Sequence, residues 1–196
     1  FLDFSKSVLY SIGFSSNFYF HYSSLQYGAI EGLLKPFLHT WSLSVEEQYY
    51  IIFPATLLIV YKFFKNHLLT VMIVGALISL GLADWGSHKY PSATFYFLHT
   101  RMWELLAGSI LAHFEISREG RWYPNNRLFN QTLPTIGVLL IGQSIIFYDD
   151  QTFHPSFYTL FPIIGVCLII WFSHKDELIT KILSSKLFVG IGLISY

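Results

Sequence analysis

The 196-residue sequence predicts an all-α fold: a polytopic transmembrane helix bundle with about five to seven membrane segments. Three observations carry that expectation. Only 12% of the residues are charged, about half of the roughly 25% usual in soluble domains. The hydrophobic residues, 53% of the chain, gather into uncharged runs separated by short polar stretches. The basic residues are distributed unevenly among those stretches, as they are around membrane helices. The same composition excludes several classes. Twelve basic residues balance twelve acidic ones without a basic stripe, so the chain is not a nucleic-acid binder, a disordered segment or a coiled coil. Cys167 stands alone inside the apolar run Gly165–Phe172, which leaves no disulfide framework and no cysteine metal site.

Taken in chain order, Ser7–Tyr22 is the weakest candidate span, because it is rich in Ser and aromatic residues. Tyr49–Tyr61 and Leu68–Ala83 are free of charge, as are Leu133–Tyr148 and Phe157–Phe172. Phe95–Phe114 is apolar but interrupted by Arg101 and Glu104, and a further run opens at Leu187. Each is short against the roughly 20 residues a span needs, so Tyr and Phe at the ends are expected to carry it to the interface. The competing reading is a soluble core of helices buried on every side. A domain of this length rarely buries five such helices.

Charge placement selects an orientation. If Tyr49–Tyr61 runs inward and the helices alternate, the inner loops are Lys62–His67, Glu115–Gln131 and His174–Lys186. These hold Lys62, Lys65, Arg118, Arg121, Arg127, Lys175, Lys181 and Lys186, against Lys6, Lys35 and Lys89 outside. Trp41–Glu47, Asp84–Thr94 and Asp149–Pro155 then face the exterior or periplasmic side of a multi-pass protein in the cell membrane. The chain begins without Met and stops just inside an apolar run, so residues 1–196 are expected to be the central part of one domain lacking both ends.

Two constellations stand out. The first is His39-Thr40-Trp41-Ser42-Leu43-Ser44-Val45-Glu46-Glu47-Gln48, directly before a spanning run. Ser44 and Glu47 fit the S-x-x-E capping box, which would make Glu47 structural. Two acids, a His and two hydroxyls still exceed what one cap needs. His39 and Glu46 share a face if helix reaches back that far, and a His beside a carboxylate can act as general base or proton shuttle. The second is Arg101-Met102-Trp103-Glu104-Leu105-Leu106-Ala107-Gly108. Arg101 and Glu104 are i, i+3 neighbours, and either neutralise one another or meet substrate. Gly108 and Ala112, four apart, suit close helix packing on the face of Glu104. The remaining histidines, including His99, carry weaker signals. No pair has metal-ligand spacing, so no metal is expected.

The stretch PFLHTWSLSVEEQYYIIFP (Pro36–Pro54) resembles the signature of the membrane-bound acyltransferase 3 family, which includes O-antigen and other cell-surface polysaccharide O-acetyltransferases. SNFYF (Ser16–Phe20), PSATFYFLHTRMWELLAGSILA (Pro91–Ala112), HPSFYTLFPIIGVCLII and FVGIGLISY agree with further family blocks in the same order, so the resemblance runs nearly end to end. It implies a membrane-bound O-acetyltransferase that takes an acyl group, usually acetyl from acetyl-CoA, and passes it to a hydroxyl of a cell-surface carbohydrate such as lipopolysaccharide O-antigen. Its partners would be the lipid bilayer and the carbohydrate acceptor. A family histidine and paired arginines would lie before Phe1, so this piece alone is expected to be inactive. The positions carried over are Glu46, His39 and Glu47 for catalysis, and Trp41, Ser42, Arg101 and Glu104 for substrate binding. Glu46 would be the acid–base or orienting group on the acceptor side. His39 and Trp41 would line the sugar entrance. Arg101 would hold donor phosphate or developing negative charge, its rotamer fixed by Glu104. The rival class is an ion-coupled secondary transporter, which would also show intramembrane Arg and Glu in Gly-interrupted helices. It should show two related halves, and none is visible.

Overall fold

A computed structural model describes residues 2–25, 35–64, 67–117, 127–149, 152–173 and 178–194. Among them the chain is entirely helical, with no strand. Lys65, Arg118, Arg121 and Lys175, half of the eight basic residues assigned to inner loops, lie outside the described residues, as do Asp150 and His174. The chain divides into two compact units.

The first unit holds Phe1–Ile110 and Phe153–Tyr158. Its helices are α1 (Leu2–Ile12), α2 (Ser16–Ser24), α3 (Thr40–Phe64), α4 (Leu68–Lys89), α5 (Pro91–Tyr96) and the first part of α6 (Leu98–Ser117). Helices α3 and α4, at 25 and 22 residues, are long and apolar enough to cross a membrane. At 1.5 Å per residue both exceed a hydrocarbon core of about 30 Å. Only 22% of the apolar stretch in each is buried inside the protein. Leu58, Ile59 and Phe63 on α3 and Leu77 and Ile78 on α4 are all more than half exposed. Such faces suit lipid and not water. Where α3, α4 and α6 meet, Tyr49, Met72 and Leu106 form a buried cluster, with Phe53, Ala76 and Met102 packed around it. The Tyr49 hydroxyl shares a 2.8 Å hydrogen bond with Ser109.

Four sequence expectations are corrected. Ser7–Tyr22 is no span: the chain turns at Gly13–Phe14, with Phe14 at φ 49, and forms the separate helices α1 and α2. The run from Phe95 is broken at Phe97, whose ψ of 144 is extended, so α5 and α6 are distinct. Ser44 caps nothing in its own helix, because α3 already begins at Thr40, after a turn in which Phe37 takes φ 60. The buried Ser44 hydroxyl instead accepts from the backbone N–H of Ser16, the first residue of α2, and bonds the Ser16 hydroxyl at 2.8 Å. Ser15, the residue before α2, makes no side-chain cap, so a neighbouring helix supplies one. Gly108, finally, has nothing within 4 Å of where a Cβ would stand, so its small size serves no close packing among the described residues.

The second unit holds Leu111–Thr152 and Thr159–Tyr196, and with it α7 (Arg127–Phe147), α8 (Leu160–Phe172), α9 (Leu178–Leu183) and α10 (Lys186–Ile194). Its α7 carries Asn130, Gln131 and Gln143, and α8 has 13 residues, so neither has the length and apolarity of α3 and α4. Here glycine does permit close approach. A Cβ on Gly165 would stand 2.6 Å from the Gly137 carbonyl oxygen, and one on Gly137 would stand 2.6 Å from that of Gly165. The two backbones therefore touch where α7 crosses α8, an approach that small residues allow between helices.

This contact sets a sign test. Ala is a better helix former than Gly by roughly 1 kcal/mol, so Gly142→Ala, where a Cβ meets nothing within 4 Å, should be neutral or stabilising. Gly165→Ala should instead lower the thermal midpoint in detergent, with an overpacking cost of about 1–3 kcal/mol. Equal responses would contradict the crossing.

Candidate functional site

The break at Phe97 is the first thing the site is built from. Ending α5 there leaves carbonyls with no helical partner, and α6 side chains take them. The buried Thr100 hydroxyl donates to Thr94 O at 2.7 Å and Phe97 O at 2.9 Å. Arg101 Nε donates to Phe95 O at 3.0 Å. The first turn of α6 is also opened by α4. The Ser79 hydroxyl donates to His99 O at 2.7 Å and accepts from Trp103 N–H at 3.1 Å, so it stands in the rung joining those residues.

The Arg101 guanidinium is therefore fixed on several sides. Nη1 meets Glu104 Oε2 at 3.3 Å, and both side chains are about one-fifth exposed. The guanidinium carbon lies 4.8 Å from the Trp41 ring and 4.9 Å from the Phe95 ring. Those rings pack at 4.6 Å, and Trp41 meets Tyr96 edge-on at 5.6 Å. Desolvation strengthens cation–π attraction, to about 2 kcal/mol or more. Trp41 comes from the start of α3, Phe95 and Tyr96 from α5, and the ion pair from α6. The structure thus brings together three of the seven sequence-predicted positions: Trp41, Arg101 and Glu104.

The other four lie along the entry to α3. His39 is exposed in the turn before the helix, its ring 6.4 Å from that of Phe37. Ser42 donates back to His39 O at 3.3 Å. Glu46 and Glu47 are half-buried in the second turn, and among the described residues neither carboxylate has a hydrogen-bond or ion-pair partner. With α3 starting at Thr40, Glu47 is not a capping-box N3 residue. His39 precedes the helix, and nothing among the described contacts joins it to Glu46.

The chain is 34% identical over 208 residues to the peptidoglycan O-acetyltransferase OatA of Listeria monocytogenes, covering 95% of this chain and 31% of that protein. Over nearly its whole length the chain is similar to proteins named as O-acetyltransferases. It is also 26% identical over 218 residues to the O-acetyltransferase OatA of Staphylococcus aureus, covering all of this chain and 33% of that protein. An uncharacterised protein of Haemophilus influenzae is 28% identical over 182 residues, covering 88% of this chain and 73% of that one. The chain spans about a third of the length of the two OatA proteins. No family model and no solved structure matches it.

Several polar residues of this O-acetyltransferase relative were not singled out by sequence reasoning. Asn17, fully buried, donates to Tyr96 O at 3.1 Å and pairs with Gln48, whose amide also reaches Phe14 O at 2.8 Å. His21 is buried against Ser92 at 3.0 Å. The spacing of Asn17 and His21, four apart in an aromatic helix, was the available signal. His154 had none, since only the fold brings it near Arg101. The Phe153–Tyr158 segment is pinned to α4: Phe157 N–H donates to Asp84 at 3.2 Å, and Phe153 stacks on His88 at 4.2 Å.

Burial, and then the positive charge of Arg101, hold the His154 imidazole below its ordinary value of 6.5. A depressed folded value means the unfolded chain binds the proton more readily. The stability this contributes is fully present above about pH 6.5 and is lost as pH falls toward the folded value. Thermal unfolding between pH 8 and pH 5 should therefore fall more steeply in the wild type than in His154→Gln. Identical slopes would remove His154 from the Arg101 environment.

Proposed function

We propose that the chain forms part of a membrane-bound O-acetyltransferase acting on cell-wall polysaccharide. The observation that carries this is the convergence of Trp41, Arg101 and Glu104, from separate signature blocks, on one fixed guanidinium, in a chain matched over 95% of its length by a peptidoglycan O-acetyltransferase. The names of the relatives favour a peptidoglycan-type acceptor over O-antigen. The donor would be an acetyl thioester such as acetyl-CoA, entering as a substrate.

In the transfer an acceptor hydroxyl oxygen attacks the acetyl carbon, the new C–O bond forms, and the C–S bond breaks. The hydroxyl proton passes to a carboxylate, and the thiolate leaves. Glu46 is our assignment for that base, since its carboxylate is half-buried and has no partner among the described residues. His39, exposed ahead of it, would relay the proton to solvent, and Glu47 and Ser42 would orient the acceptor. Arg101 would stabilise the developing oxyanion or donor phosphate, held in place by Glu104. The start of α3, the end of α4, α5 and the Phe153–Tyr158 segment share one end of the first unit. That arrangement and the distribution of basic residues support an orientation with this end outside and α6 to α8 as further membrane segments. Ion-coupled transport is not favoured, because the relatives are named as transferases.

The test is to express the complete parent protein and measure O-acetyl groups on cell-wall glycan by mass spectrometry. Glu46→Gln should lower them by about 100-fold or more at unchanged protein abundance, the size of a lost acid–base group. Unchanged acetylation in that variant would remove Glu46 from catalysis. An absence of acetylation in the wild type would remove the activity itself.

A further inference from the structure

A cavity of about 430 Å³, lined by aromatic rings and polar side chains, opens between α1 and α2. Its volume falls within the range of roughly 300–1,000 Å³ typical of small-molecule sites. Asp3, Lys6, Tyr10, Tyr19, Tyr22 and Ser23 line it. Tyr10 and Tyr19 stack at 5.1 Å with their planes 21° apart, and the Tyr19 hydroxyl donates to Asp3 O at 3.2 Å. Tyr22 is 61% exposed, so its ring is open to a ligand. Lys35, from the turn ahead of α3, donates to Ser23 at 2.8 Å and closes that edge with a second cation.

This lining has a particular chemistry. Flat aromatic faces receive the C–H face of a pyranose, while a carboxylate, ammonium groups and hydroxyls ring them to bond its hydroxyls. Lys6 and Lys35 outnumber Asp3, which favours a neutral or acidic saccharide over a cationic one. The cavity is also joined to the site already described. Phe18, on its wall, packs at 5.4 Å against Phe97 at the α5–α6 break. Phe4, next to Asp3, packs at 5.7 Å against Phe37 in the turn that carries His39. Trp41, by contrast, already has its ring against Arg101, Phe95 and Tyr96. In the tyrosine-lined cavity the Tyr22 ring stays open to a sugar.

We propose that the α1–α2 cavity is a saccharide-binding subsite that holds a neutral or acidic pyranose unit of the acceptor glycan beside the transfer site. It rests on the acetyltransferase reading for the word acceptor, but not for the binding of sugar.

Binding is therefore read apart from catalysis. An N-acetylglucosamine tetrasaccharide is titrated against the complete parent protein in detergent and followed by saturation-transfer NMR. The wild type should bind it, and Tyr22→Ala should weaken binding about tenfold, the size of one lost ring contact. Tyr22→Phe, which keeps the ring, should stay within about threefold of the wild type. Asp3→Asn, at an exposed position, gives a second reading should Tyr22→Ala reduce protein yield, and it too should weaken binding. No binding by the wild type, or wild-type affinity in both Tyr22→Ala and Asp3→Asn, overturns the subsite. Sugar binding without any acetyl transfer would leave the subsite standing and overturn the acetyltransferase reading alone.

Discussion

A guanidinium on an apolar helix has to be neutralised where it stands, and much of the first unit is arranged around that requirement. Arg101 cannot rely on water, because its side chain is about one-fifth exposed. One carboxylate one turn along α6 answers the charge. The Phe95 carbonyl answers a further N–H, and two rings cover the cation. Each partner depends on a feature that would otherwise look like a defect. The carbonyl is available because α5 stops before Phe97, and Trp41 is within reach because α3 begins at Thr40. Stranding one member of such a pair costs about 3–5 kcal/mol, so these features are tied together energetically.

Hydroxyls perform the same service for the rest of the polar end. Ser11, Thr40, Ser16 and Ser44 form a continuous chain of hydrogen bonds across α1, α2 and α3, at 2.8, 3.0 and 2.8 Å. Asn17 and Gln48 extend it to α5. Small polar side chains can be buried at little cost when every donor has an acceptor, and a network of this kind fixes which helices are neighbours. The deeper part of the unit needs less specification. Tyr49, Met72 and Leu106 pack without charge, and the outward faces of α3 and α4 are simply apolar.

What the sequence made legible follows from this division. Uncharged runs located α3, α4, α7 and α8, because excluding charge over many residues leaves a mark on composition. The pairing of Arg101 with Glu104 was legible from i, i+3 spacing. The α1–α2 turn, the break at Phe97 and the true start of α3 were not, since each is set by hydrogen bonds to other helices. Ser44 shows why: its spacing from Glu47 matches a capping box, yet the N–H it satisfies belongs to Ser16, 28 residues earlier. Gly108 looked like a packing residue and meets nothing, whereas Gly137 and Gly165 lie against one another, because spacing along one helix says nothing about what lies opposite. The approach of His154 to Arg101 is likewise a property of the fold alone.

The central claim is that the planar guanidinium at Arg101 works in acyl transfer and is not merely neutralised. Arg101→Lys in the complete parent protein tests it most directly, because Lys keeps the charge but loses the fork that binds Phe95 and Glu104 together. The account predicts wild-type abundance with O-acetyl transfer reduced by about tenfold or more, as one transition-state contact is lost. The companion double variant, Arg101→Gln with Glu104→Met, should recover abundance without recovering transfer. Near-normal O-acetylation in both would contradict the claim and leave the pair as scaffold.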